Sequence, residues 1–186
     1  MENMSLLSLV LIFCITTSPV FSQQYYSQTL SYKSEQEKIT NLHFFFHDTI
    51  SGKNPSAVLV ARPNATDSQP RTPFGNVYAV DDPLTAGPEI ISELIGNAQG
   101  LYVSSGQDSL SLVMYVDFGF VKGEFNGSSL SVLSRNPVLE TERELAIVGG
   151  RGKFRLAKGF AHLKTYFVNA TSGDAIVEYN ITVVHY

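Results

Sequence analysis

Residues 109–134 read SLSLVMYVDFGFVKGEFNGSSLSVLS, two β-rich runs separated by the turn residues Phe125-Asn126-Gly127. The first run is apolar on both faces: Leu112, Met114, Val116, Phe118 and Phe120 alternate on one, Val113 and Tyr115 on the other. Side chains on a strand point alternately to opposite sides of the sheet, so a strand that is apolar on both must be covered on both. The same grammar extends outward in both directions. Candidate strands are 42–49, 57–62, 74–81, 97–104, 109–120, 124–134, 142–149, 154–168 and 175–185. Turn chemistry divides them at Ser51-Gly52-Lys53-Asn54-Pro55, Asp81-Asp82-Pro83, Gly149-Gly150-Arg151-Gly152 and Ser172-Gly173-Asp174. Only Pro88 to Leu94 reads as helix, about two turns long. The pattern predicts an all-β sandwich or barrel.

At the N-terminus, Leu6 to Val20 is an apolar run ended by Pro19 and a small-residue site at Val20-Phe21-Ser22, the pattern of a cleaved signal peptide. The run is shorter than the roughly 20 residues a bilayer span needs. The expected organisation is a signal peptide over 1–22, a polar lead over 23–40 and one β domain over 41–186, in a secreted, extracellular protein. Its only cysteine, Cys14, lies in the signal segment, so the mature chain is expected to have no disulfide. The full chain has 13 Lys and Arg against 17 Asp and Glu, a net charge of −4 that is too mild to point to nucleic acid or a membrane surface. Asn-x-Ser/Thr sequons at Asn64, Asn126, Asn169 and Asn180 are expected glycosylation sites. Asn180 lies in a predicted strand and needs an outward side chain.

Alternation also exposes misfits. The face of Phe44 and Phe46 carries Asp48; the face of Leu145 and Ile147 carries Arg143; the face of Ala157, Gly159, Ala161, Leu163 and Phe167 carries Thr165. A polar group on an apolar face is costly unless it is paired, so these three either bond to each other or face a pocket. The small residues of the third face are read as leaving room for a ligand. With no helix to cover the second face of 109–120, a neighbouring subunit is the expected cover.

Several stretches together resemble the dirigent protein family: Leu42-His43-Phe44-Phe45-Phe46-His47-Asp48-Thr49, Phe74-Gly75, Asp81-Asp82-Pro83-Leu84-Thr85, Gly96-Asn97-Ala98-Gln99-Gly100-Leu101-Tyr102, Phe125-Asn126-Gly127-Ser128-Ser129-Leu130, Arg143-Glu144, Val148-Gly149-Gly150-Arg151-Gly152-Lys153-Phe154 and Glu178-Tyr179 to His185-Tyr186. The resemblance implies an eight-stranded antiparallel β-barrel, similar to allene oxide cyclase, assembled as a homotrimer in the plant apoplast. It implies no cofactor. The expected function, taken first, is stereoselective coupling of phenoxy radicals of monolignols, made by a separate laccase or peroxidase. The alternative is the work of a branch that resembles pterocarpan synthases, dehydration of an isoflavanol through a quinone methide. A carbohydrate-binding or defence module is the reading outside this chemistry.

Carried over residue by residue, the resemblance makes Asp48 and Arg143 the catalytic candidates and Thr165 a substrate-binding one. Tyr102 is a candidate lining residue. The lignan-forming pattern has an aspartate where this chain reads Ser134-Arg135-Asn136-Pro137, and Asn136 cannot ionise, which favours a different phenolic substrate and leaves Asp48 as sole acid. Desolvation is expected to raise the pKa of Asp48 unless Arg143 pairs with it. Arg143 has the planar fork to hold a phenolate or quinone oxygen. Asp81 and Asp82 are assigned to a structural turn. His43 and His47 are too far apart on a strand, about 13 Å, to share a metal.

Overall fold

The computed structural model describes residue 27, residues 29–31, 36–64 and 72–186. The signal peptide and half of the expected lead, residues 23–26, 28 and 32–35, lie outside the described residues. The chain divides into Met1–Lys33 and Ser34–Tyr186, and the architecture below is that of the second unit.

Nine strands follow in order: β1 (Lys38–Asp48), β2 (Ala57–Ala61), β3 (Val77–Thr85), β4 (Leu94–Ser104), β5 (Leu112–Phe120), β6 (Ser129–Asn136), β7 (Glu142–Arg151), β8 (Lys158–Val168) and β9 (Ala175–His185). All pair antiparallel, in the spatial order β1-β9-β8-β7-β6-β5-β4-β3-β2. A second pairing, Phe45 with Thr85 and Phe46 with Leu84, joins β1 to β3 and closes eight strands into a barrel. Strand β2 continues along the β3 edge that β1 leaves, pairing with Val77 to Val80. Closure removes the open edges that a flat sheet of this size would expose.

Several elements differ from the sequence reading; β4 begins at Leu94 rather than 97, β5 at Leu112 rather than 109 and β8 at Lys158 rather than 154. Strand β1 begins at Lys38 rather than Leu42; its first residues are mostly exposed, the one apolar side chain, Ile39, included, so no alternation reveals them, but they pair fully with β9. Residues 88–92 form bends and a turn, not a helix, and Leu94 already opens β4. Strand β6 starts only at Ser129, because Gly123–Phe125 forms a single 3-10 turn. Asp81-Asp82-Pro83 is not a turn but the middle of β3. Pro83, which has no N–H to give, falls between the segments of β3 paired to β2 and to β1, where an edge tolerates it.

The interior is graded along the barrel axis. Mid-barrel, Phe44 stacks on Tyr179 at 5.5 Å and meets Phe118 edge-on at 5.4 Å. Towards the end formed by Phe120, Phe154 and His185, an aromatic plug closes the interior: Phe125 stacks on Phe154 at 4.6 Å, and Phe154 packs against Phe120 and His185. Buried aromatic pairs of this kind add about 0.5–1.5 kcal/mol each beyond area burial. Asp48, Asn136, Arg143 and Thr165 lie towards the other end, where β1, β4, β6 and β8 finish and β3, β5, β7 and β9 begin.

Two interior readings are corrected. Gly159 leaves no room for a ligand: a Cβ there would lie 2.1 Å from the Thr182 carbonyl, so glycine serves the close approach of β8 to β9. Phe167 does not share the buried face of Leu163, because a register shift between Thr165 and Phe167 turns it outward, where it is half exposed.

Candidate functional site

The alternation that flagged Asp48, Arg143 and Thr165 holds for all three, yet they do not form one cluster. Asp48 ends β1, opposite Ala175 of β9. Arg143, near the start of β7, is buried and donates from Nη1 to Asn136 Oδ1 at 3.2 Å and from Nη2 to Thr165 Oγ1 at 2.7 Å. Asn136 in turn points its Nδ2 at Met114 Sδ, 3.0 Å away. Among the described residues no ion pair joins Arg143 to a carboxylate; the pairs present are His43–Glu178, Lys122–Glu93 and His162–Glu144. The buried guanidinium therefore rests on neutral partners, its Nε has no hydrogen bond, and desolvation lowers its pKa.

Asp48 is not paired with Arg143, and it is not the sole acid. Asp82 of β3 is fully buried on the inward face with Val80 and Leu84. Burial raises its pKa to about 8, with the negative charge of Asp48 the next cause; the Ser56 hydroxyl pulls the other way. Burial raises the Asp48 pKa to about 6, helped by the charge of Asp174 and opposed by the Tyr102 hydroxyl. The two values describe consecutive steps. Asp48 ionises first, facing a still neutral Asp82, and Asp82 ionises second, against a charge. Asp82 Oδ1 lies 2.5 Å from Ser56 Oγ, which also accepts from the Thr49 N–H and lies 3.3 Å from the His47 carbonyl. A protonated Asp82 fits this arrangement: Ser56 donates to its Oδ1, and its proton sits on Oδ2, which has no hydrogen-bond partner.

The free acceptors of both acids are buried. Asp48 Oδ1, Asp82 Oδ2 and the Tyr102 hydroxyl have no hydrogen-bond partner, although Tyr102 is near enough to draw the Asp48 pKa down. Leaving buried polar groups unpaired costs about 1–3 kcal/mol each, so such a concentration in one barrel is expected where a substrate completes the bonding. Tyr102 also stacks on Tyr78 at 5.0 Å, and burial and the two carboxylates raise its pKa. Tyr179, fully buried on β9, links the acidic and basic sides: burial raises its pKa, Arg143 lowers it, and Asp82 and Asp48 raise it.

Sequence reading thus proposed Asp48, Arg143, Asn136, Thr165 and Tyr102, which the structure places in or at the edge of the barrel interior, and did not propose Asp82, Ser56 or Tyr179. A signal for Asp82 existed: extending the alternation of Tyr78 and Val80 by two residues places it inside. The proline masked it. His47 is structural, its Nε2 bonded to Thr85 at 2.6 Å, and His43 pairs with Glu178 at the surface. The four sequon residues Asn64, Asn126, Asn169 and Asn180 are all exposed.

Comparison with known proteins adds to this geometry. Residues 39–184 match the family described as dirigent-like protein. The chain is 54% identical to pterocarpan synthase 1 of Glycyrrhiza echinata, over 82% of this chain and 81% of that protein. It is 50% identical to dirigent protein 15 of Arabidopsis thaliana, over 88% and 89%. Its fold superimposes on the solved structure of the pterocarpan synthase dirigent protein PsPTS1 with a TM-score of 0.76 at 52% identity, covering 82% of this chain and 99% of that one.

Proposed function

The chain belongs to the dirigent family, and from that premise we propose that it catalyses stereoselective loss of water from a phenolic alcohol of the isoflavanol type, through a quinone methide. One observation carries this reading: two carboxyl groups, Asp48 and Asp82, share an apolar barrel with pKa values held apart at about 6 and about 8. Between those values the pair keeps one proton, which supplies an acid and a base together.

Asp82 donates its proton to the leaving hydroxyl, the carbon–oxygen bond breaks, and water departs. Asp48 takes the proton of the phenol conjugated to that carbon, giving the quinone methide. A second hydroxyl of the same molecule then adds to the electrophilic carbon and returns its proton to Asp82. Asp48 gives its proton back to the ring oxygen, and the aromatic ring and both carboxyl states are restored. Arg143, lacking an anionic partner, holds the ring oxygen as charge builds on it. Asn136 supports that role, because an aspartate in its place would neutralise the guanidinium.

Radical coupling, the first choice from sequence, becomes the second reading because its bond-forming step needs an oxidant from outside, whereas loss of water needs only the acid and base named above. Purified protein given a 2′-hydroxyisoflavanol alone is expected to yield chiral product, with Asp48→Asn and Asp82→Asn each removing most turnover. Product excess of one hand appearing only from coniferyl alcohol with added laccase would establish coupling instead. A carbohydrate-binding module would keep its function in Asp48→Ala.

We also propose that the mature protein is secreted to the apoplast, glycosylated at its exposed sequons and assembled as a homotrimer. The oligomer is supported by Leu101, Tyr115 and Leu133, which lie in register across β4, β5 and β6 and are 40%, 50% and 52% exposed. An apolar row of that kind on a barrel exterior fits a second copy of the chain.

A further inference from the structure

Asp174 ends the turn between β8 and β9, next to Ala175, which pairs with Asp48. Its carboxylate accepts four hydrogen bonds. Oδ1 receives the Ile50 N–H at 2.8 Å and the Ser51 N–H at 2.9 Å; Oδ2 receives the Ser51 hydroxyl at 2.6 Å and the Ser172 hydroxyl at 2.7 Å. These bonds clasp the segment that leaves β1 directly after Asp48 to the turn that starts β9. Gly173, at φ +85°, makes the tight bend that brings the carboxylate there, and a Cβ on it would press on Ile50. The clasped segment closes on itself by Ser56 N and Ala57 N bonding to the Thr49 carbonyl, and it delivers Ser56 to Asp82. One carboxylate thus fixes the end of β1 that carries the first acid and the loop that bonds the second.

We propose that Asp174 is a positioning residue of the site, acting through Asp48: it holds the β1 end in place, and its permanent negative charge strengthens Asp48 as a base. The permanence follows from its bonding, since four donors hold its own pKa at about 2. The other titratable groups that bear on Asp48 are Tyr102 from β4, Asp82 from β3 and Tyr179 from β9. Tyr102 is neutral and Asp82 still protonated when Asp48 titrates, so Asp174 is the one standing anion of the set. The proposal rests on Asp48 serving in proton transfer, but its test does not depend on turnover.

Asp174→Asn separates charge from clasp. The amide oxygen can still accept from Ile50 and Ser51, while its NH2 donates to the two serine hydroxyls, which are able to accept. Protein with 13C-labelled aspartate carboxyls is titrated by NMR, the Asp48 signal being identified by its loss in Asp48→Asn. Near pH 6 about half of Asp48 is protonated in the parent chain, as its pKa implies. Asp174→Asn is expected to lower the midpoint and that fraction while the Ile50 and Ser51 amides stay protected from hydrogen exchange. Asp174→Ala is expected to lower the midpoint and expose both amides. An Asp48 midpoint that moves in neither variant, or only in Asp174→Ala, overturns the proposal and leaves Asp174 a loop staple. Loss of isoflavanol turnover with an unmoved midpoint overturns it as well, and absence of turnover in the parent chain bears on the proposed reaction alone.

Discussion

Asp82→Asn offers a test that needs no substrate. A buried carboxyl whose folded pKa is about 8 holds a proton that the unfolded chain, with an aspartate pKa of 3.8, has already released. Throughout that interval the folded state binds more protons, so stability falls as pH rises and stops falling above about 8. Asp48 adds a term of the same sign, confined below about pH 6. His47 adds the opposite sign below its ordinary value of 6.5, since burial lowers its pKa and folding releases its proton. Between pH 6.5 and 8 Asp82 therefore dominates. One pKa unit is about 1.4 kcal/mol, which makes the expected loss across that window about 2 kcal/mol. For a domain of this size that corresponds to a drop in Tm of roughly 4–8 °C. The assay is urea unfolding at half-unit pH steps on the parent chain and on Asp82→Asn. The variant keeps the carboxamide oxygen for Ser56 and carries no ionisable proton, so its curve should be flat in the window. Parallel curves for the two proteins would refute the raised Asp82 pKa and, with it, the separated acid and base.

Three further outcomes follow from the same geometry. Tyr102→Phe removes the hydroxyl whose hydrogen bonding towards Asp48 lowers that acid's pKa, so the Asp48 carboxyl signal should titrate above about 6 while stability changes by only about 0.5 kcal/mol. Asn136→Asp puts an anion 3.2 Å from Arg143 Nη1, and kinetics should show kcat reduced at least about tenfold, about 1.4 kcal/mol of transition-state stabilisation, with the fold intact by circular dichroism. Phe154→Ala opens the aromatic plug and should cost about 3–5 kcal/mol in chemical denaturation, yet leave kcat per folded molecule unchanged, because the plug lies at the end away from Asp48 and Arg143.

The strands were legible because one interior imposes one rule on nearly every segment: alternate side chains must be apolar. Asp48 and Arg143 stood out as breaches of that rule, and the resemblance gave them roles. Asp82 broke the rule as plainly, but Pro83 beside it looked like a turn; that the β3 edge is bare between β1 and β2 is a fact of the closed barrel, with no trace in local sequence. Gly159 was misread for a related reason. A glycine that admits a neighbouring strand and one that admits a ligand have the same side chain, and only the Thr182 carbonyl tells them apart. The Asp48–Arg143 pair, natural to expect between opposite charges on apolar faces, does not form: the guanidinium gives two of its donors to Asn136 and Thr165 and leaves its Nε unpaired.

The pairing of β1 with β9 has a consequence in time rather than in space. Lys38 meets His185, and Thr40 bonds His185 across 145 residues of chain, so β1 waits for β9, the last of the described strands to be made. Until then Phe44, Phe45 and Phe46 have only a two-residue ladder to β3 to shelter them. Ladders between residues so distant form late and slowly. A nascent chain of this design therefore carries an unsated hydrophobic strand through nearly its whole synthesis, the kind of segment on which folding chaperones act and from which aggregation starts.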